Sequence, residues 1–138
     1  MDFHRLTAPC GIDCFNCPVL QADENPEIKA RVASALGVAE EEVHCRGCRD
    51  ENGTIGFLGM KEPCKVYRCI QEKGIDFCFE CPDFACDNLH PYADRAATRP
   101  HNTKVFNLLL IKRLGLEEWA RNKASQVRKT YYTGKLEL

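Results

Sequence analysis

The chain has 138 residues, 44% hydrophobic and 28% charged, with a net charge of −1 at pH 7, a balance that suits one soluble domain with a single modest apolar core. No apolar run approaches the roughly 18 residues a membrane span needs, since the best, residues 105–111, contains Asn107. The N-terminal residues carry an acid and a base with no apolar run of signal-peptide length behind them, so the expected location is cytoplasmic and no membrane is expected as a partner.

Charge is unevenly placed. Residues 1–94 hold nine Lys/Arg against 17 Asp/Glu, and residues 95–138 hold ten against three. An acidic front half argues against a nucleic-acid surface there, because phosphate contacts require a basic patch. The basic end is expected to be a solvated helix face, so nucleic acid is not an expected partner.

In chain order, Cys10, Cys14 and Cys17 come first. Ile28, Val32 and Leu36 then recur on a helical period, with Asn25 placed to cap, Pro26 at the first helical position and Gly37 at the stop. Cys45 and Cys48 follow, and after them residues 52–59, whose three glycines predict a turn or short hairpin. Cys64 to Lys73 predicts two helical turns ended by Gly74. Cys64 and Cys69 are five apart and do not share a helix face, so one should precede the helix. Cys78, Cys81 and Cys86 close the series, and Pro82-Asp83 predicts a fresh helix start through Leu89.

Beyond Pro100, residues 102–114 predict a helix with Val105, Phe106, Leu109, Leu110 and Leu114 inward, stopped by Gly115. A second helix begins at Leu116 with acids in its first turn and Arg128 and Lys129 in its last, completing a helical hairpin with Trp119 and Phe106 as packing residues. Residues 130–136 predict an extended tail that could add an edge strand.

Ten cysteines carry the chemistry. In a reducing compartment thiols in spaced pairs are metal ligands before they are disulfides. A tight turn between cysteines two residues apart aims both sulfurs at one ion, and three such pairs are present, at Cys14/Cys17, Cys45/Cys48 and Cys78/Cys81. Gly47, inside the middle pair, is placed where such a turn needs positive φ. All ten cysteines are therefore expected to be metal ligands, for two zinc ions. The preferred division joins Cys45 and Cys48 to Cys64 and Cys69, with the second ion drawing on Cys10, Cys14, Cys17, Cys78, Cys81 and Cys86, six thiols for four places, so that two are left to support the ligands, to form a clustered site or to stay free. The alternative is an iron–sulfur cluster on Cys10, Cys14 and Cys17, whose spacing is that of radical S-adenosylmethionine enzymes; such a chain would act in redox chemistry or electron transfer. His4, His44, His90 and His101 are weaker ligand candidates. Asp13, Glu80 and Asp83 lie near thiols but are read as solvated surface carboxylates.

The expected fold is a small, metal-stabilised, mainly α domain with short β or irregular parts: zinc-ribbon-like or treble-clef-like segments over 1–94, packed on a helical hairpin and tail over 95–138, together one domain. Neither a phosphate-binding glycine loop nor a zinc-protease helix is visible. The reading is therefore a structural zinc protein that recognises a protein partner, with no identified catalytic residue.

The strings Cys10-Gly11-Ile12-Asp13-Cys14-Phe15-Asn16-Cys17-Pro18, Cys45-Arg46-Gly47-Cys48-Arg49, Cys64-Lys65-Val66-Tyr67-Arg68-Cys69 and Cys78-Phe79-Glu80-Cys81-Pro82-Asp83-Phe84-Ala85-Cys86 together resemble the domain of unknown function 3795 family. The resemblance extends over roughly residues 8 to 120, and it implies a zinc role for the cysteines without implying a reaction.

Overall fold

A computed structural model describes all 138 residues. Six α-helices are joined by turns and short 3₁₀ segments: α1 (Pro18–Gln21), α2 (Pro26–Leu36), α3 (Lys65–Lys73), α4 (Lys104–Leu114), α5 (Leu116–Asn122) and α6 (Ala124–Thr133). No helix is long and apolar enough to cross a membrane.

The helix ends follow from local chemistry. The Asn25 side chain accepts hydrogen bonds from the Glu27 and Ile28 N–H groups, Pro26 opens α2, and Gly37 closes it in the left-handed region. Cys64 stands just before α3 as its cap, its sulfur accepting the Tyr67 N–H at 3.4 Å, and Gly74 closes that helix with positive φ.

Three expectations are corrected. There is no sheet, only an isolated bridge between Thr7 and Asp13, so the ribbon-like or treble-clef-like hairpins expected around the cysteine pairs are not formed. Residues 52–59 make the turn that was one of the two forms expected of them, with a 3₁₀ segment at Gly56–Leu58, whereas α6 runs through Thr133 where an edge strand was expected. The helix expected from Pro82 to Leu89 shrinks to a 3₁₀ turn at Asp87–Leu89, because Cys86 is held in extended backbone.

The C-terminal hairpin is a three-helix unit. Lys123 departs from helical geometry (φ −125°) and separates α5 from α6, letting Ala120 and Ala124 both stay in the core while α6 takes a new direction. The inward face of α4 also differs from expectation. Lys104, Asn107, Leu108, Leu110 and Ile111 are buried, whereas Phe106 and Leu109 are 57% and 50% exposed. The reason is that α4 packs against two apolar clusters at once. Leu110 and Ile111 join Phe3, Phe15 and Trp119 in one, and Leu108 joins Val66, Ile70 and Phe77 in the other. A third cluster, around Val19, Val32 and Val43, holds α1 and α2.

Two polar connections fasten the cysteine segment to these helices. Asn107, buried, donates to the Gly11 carbonyl at 2.9 Å and accepts from Trp119 Nε1 at 3.3 Å. Asp13, also buried, accepts from Arg128 Nε at 2.9 Å and from Asn16 at 2.8 Å. The surface role expected of Asp13 is thereby replaced by a buried ion pair.

Gly11 lies where this contact is closest. Its φ is +87°, and a Cβ there would stand 2.8 Å from the Lys104 carbonyl oxygen and 2.9 Å from Leu108 Cγ. Gly11→Ala is expected to destabilise the protein by about 2 kcal/mol or more, combining left-handed strain with a backbone clash. A denaturant melt would measure this, and an unchanged midpoint would show that α4 can move aside.

Candidate metal centre

Backbone turns place the sulfurs. Gly47, between Cys45 and Cys48, has φ +97°, and a Cβ there would stand 3.8 Å from Cys14 Cβ. Gly53 then joins two cysteines directly: its N–H donates to the Cys48 carbonyl at 2.8 Å, and its carbonyl accepts the Cys64 N–H at 3.0 Å. The Cys78 N–H donates to the Pro9 carbonyl at 3.0 Å, so the last cysteine segment sits beside the first.

The result is that the thiols gather around two neighbouring centres, with Cys14 in reach of Cys10, Cys17 and Cys45 alike. Cys48 lies within electrostatic reach of Cys10, Cys14 and Cys64. Cys69, Cys78, Cys81 and Cys86 line one cavity of about 20 Å³, closed elsewhere by Val66, Ile70, Phe84 and Leu89. Cys78 feels the other three and also Cys10, which makes the two groups neighbours. Cys17 and Cys45 both pack against the third apolar cluster, within electrostatic reach of each other and of Cys14. The division preferred from spacing, Cys45 and Cys48 with Cys64 and Cys69, is not the one the fold brings together. Cys64 caps α3 and Cys69 lies inside it, about 140° away around the helix axis, so the two serve different groups. The ten thiols are all free of disulfides. No three His, Cys, Asp or Glu side chains are drawn into a preformed coordination cage.

The thiols are in surroundings that oppose each other. Burial pushes Cys14 and Cys78 up to about 12 and Cys45 up to about 11. Cys10 and Cys48 are also raised, again chiefly by burial. Neighbouring backbone N–H groups oppose that rise, Ile12's at Cys10, Cys48's at Cys14 and Gly47's at Cys45. Donors directed at sulfur favour thiolate, while burial and neighbouring sulfurs disfavour it. A cation among the sulfurs resolves that conflict, because a coordinating thiol is deprotonated outright.

Several side chains outside the sulfur set hold the groups in place. The Arg49 guanidinium, next to Cys48, donates to the Thr7 carbonyl at 2.9 Å, to Asp76 Oδ1 at 2.8 Å and to the Asp76 carbonyl at 2.9 Å, with its carbon 4.9 Å from the Phe77 ring centroid. It thereby fixes the Cys45–Cys48 turn to the segment leading into Cys78. Lys73 Nζ donates to Cys81 Sγ at 3.1 Å and to Asp83 at 2.7 Å. The Asp83 carboxylate and then the Cys81 sulfur hold the Lys73 ammonium above its ordinary value. Lys73 thus brings positive charge to the edge of the second group. Glu80 accepts the Phe77 N–H at 3.0 Å, and Asp83 is committed to Lys73, so neither is a free acid. His44 pairs with Asp23 at 2.6 Å and His4 with Asp76, while His90 Nδ1 lies 2.7 Å from the Pro91 carbonyl oxygen.

Arg49, Lys73, Asn107 and Arg128 were not identified from the sequence as parts of this arrangement. Only Asn107, a polar residue inside an apolar run, gave a signal there.

Against known proteins, a family model described as protein of unknown function (DUF3795) matches residues 6–91, more than half of the chain. The chain belongs to this family. The DUF3795 match contains all ten cysteines, from Cys10 to Cys86, and ends before α4, short of residue 120 where the sequence resemblance reaches. No curated protein and no solved structure matches the chain.

Proposed function

We propose that this DUF3795 protein is a structural metal-binding protein, with zinc as the ion, whose helical surface serves as a protein-interaction module. Cys69, Cys78, Cys81 and Cys86 hold one ion, and Cys10, Cys14, Cys48 and Cys64 hold the other. The observation that carries this reading is the 20 Å³ cavity lined by four cysteines, a space of single-atom scale. Four thiolates are a complete tetrahedral shell for zinc and leave no open position, which favours a structural over a catalytic ion. The bound ions would supply the positive charge that buried thiolates lack, and so organise a part of the chain whose apolar clusters are small. Cys17 and Cys45, ligands in the sequence reading, become in this proposal a flanking pair beside the ion on Cys10, Cys14, Cys48 and Cys64. A cytoplasmic location accords with ten reduced thiols.

Single Cys→Ser substitutions test the division. Cys86→Ser and Cys48→Ser should each lower bound zinc from two ions to one, whereas Cys17→Ser and Cys45→Ser should each leave two, as read by native mass spectrometry. Loss of an ion from Cys17→Ser but not from Cys48→Ser would refute the assignment. A brown anaerobic preparation containing iron and sulfide would replace zinc with the iron–sulfur alternative.

A further inference from the structure

A groove of about 500 Å³ runs between α4 and α6, on the surface of the basic end of the chain. Phe106, Leu110 and Arg113 line one side at i, i+4 and i+7, and Lys123, Val127 and Tyr131 line the other at i, i+4 and i+8. Each side therefore extends about 10–12 Å, roughly two helical turns. Leu110 forms an apolar floor and Phe106 is more than half exposed at the rim. The Tyr131 hydroxyl donates to the Ala96 carbonyl at 2.9 Å, which fixes that ring.

The charge of the groove is of one sign. No carboxylate lines it, and neither Arg113 nor Lys123 takes part in any of the ion pairs that employ other basic residues, such as Arg121 with Glu117 and Arg128 with Asp13. Residues 95–138 as a whole carry ten bases against three acids. Two exposed cations flanking an apolar channel between two helices complement one chemistry: apolar anchors repeating at helical spacing, bordered by carboxylates.

We infer that the α4–α6 groove is a docking site for a short acidic amphipathic helix of a partner protein. This deepens the reading of the chain as an interaction module and rests on it. Apolar side chains of the partner enter between Phe106 and Val127 over Leu110, and its carboxylates meet Arg113 and Lys123. Phosphodiester chains would find the two cations but no use for the apolar channel, so the groove favours peptide over nucleic acid.

The test uses the full metal-loaded chain and a fluorescein-labelled peptide of about 14 residues, with leucines at i, i+3, i+4 and i+7 and glutamates between them. Fluorescence anisotropy should show saturable binding that weakens about tenfold or more when the glutamates are replaced by lysines, when the leucine spacing is scrambled, or when the protein carries R113E and K123E together. Phe106→Asp should also weaken it. All three substituted side chains are exposed, so thermal melts should be unchanged; should a variant fail to fold, the lysine and scrambled peptides on the unaltered chain decide alone. The inference is overturned by no saturable binding up to about 1 mM, by equal binding of the lysine or scrambled peptide, by a single-stranded oligonucleotide that binds tighter and is weakened by R113E/K123E, or by concentration-dependent self-association that masks the groove. Zinc counted on the same samples separates the two levels: failed peptide binding with two ions present refutes the groove alone, and binding without metal refutes the metal reading alone.

Discussion

A strong chelator should collapse the cysteine-rich part of this chain if the proposed zinc ions hold it. Structural zinc in small thiolate sites contributes roughly 10–16 kcal/mol of apparent binding free energy at neutral pH, comparable to the whole stability of an ordinary domain, about 5–15 kcal/mol. Without the ions, eight of the ten thiols would be left clustered in two groups, with Cys14, Cys48 and Cys78 among those whose charged form burial disfavours. The apolar clusters next to them are small: five buried residues around Val19 and Val43, and six around Ile70 and Leu108. The expected result is a large loss of helical circular dichroism from α2 and α3, together with loss of the near-ultraviolet signal of Phe77 and Tyr67, which pack by the second cysteine group. Restoring zinc should restore both. Trp119 gives a second signal, because it lies on α5, outside the cysteine segments, and meets the first of them through Phe15 and, by way of Asn107, through Gly11. Its fluorescence should change later or less than the far-ultraviolet signal as chelator is added.

Arg128→Leu should be the most damaging single change outside the cysteines. Arg128 makes three hydrogen bonds to Asp13 across 115 residues of chain, to both carboxylate oxygens and to the backbone carbonyl, and Asp13 is 2% exposed. Removing the guanidinium leaves a buried carboxylate facing leucine, a change that typically costs about 3–5 kcal/mol. Replacing both partners, as Asp13→Asn with Arg128→Leu, should recover much of that loss, because no charge is then left unpaired. Chemical denaturation of the two variants measures the difference. Equal destabilisation by the single and double changes would mean that Arg128 acts through packing against its neighbours and not through Asp13.

The helix ends were legible in the sequence because they depend on single residues. Asn25, Pro26, Gly37 and Gly74 each do at their positions what their side chains or lack of one allow. The positive φ of Gly47 was legible for the same reason. The face of α4 was not. Its run from Val105 to Ile111 is apolar nearly all round, so helical period could not select between faces, and the choice was made by two clusters from distant parts of the chain. Asn107 is tolerated inside that run because Gly11 and Trp119 satisfy its amide. Arg128 was read as complementing a helix dipole, and its partner lies far outside any local window.

That the cysteines would come near one another was legible from their spacing, and which of them meet was not. Short spacing says that two sulfurs can approach each other, but only the fold says which pair meets which. Gly53 links Cys48 to Cys64, the Pro9 carbonyl brings Cys78 beside Cys10, and α3 turns Cys69 away from Cys64. The strands expected of a ribbon were inferred from the pair spacing alone, whereas the turns that carry these cysteines are closed by 3₁₀ segments such as Cys14–Asn16 and Cys78–Glu80.

Metal content of protein purified without oxygen, counted by elemental analysis and native mass spectrometry on one sample, tests the central claim most directly. Two zinc ions per chain, lost only as the fold is lost, is the predicted result. A well-folded preparation with no bound ion would contradict it, since buried sulfur clusters would then be stable without the charge they are arranged to receive.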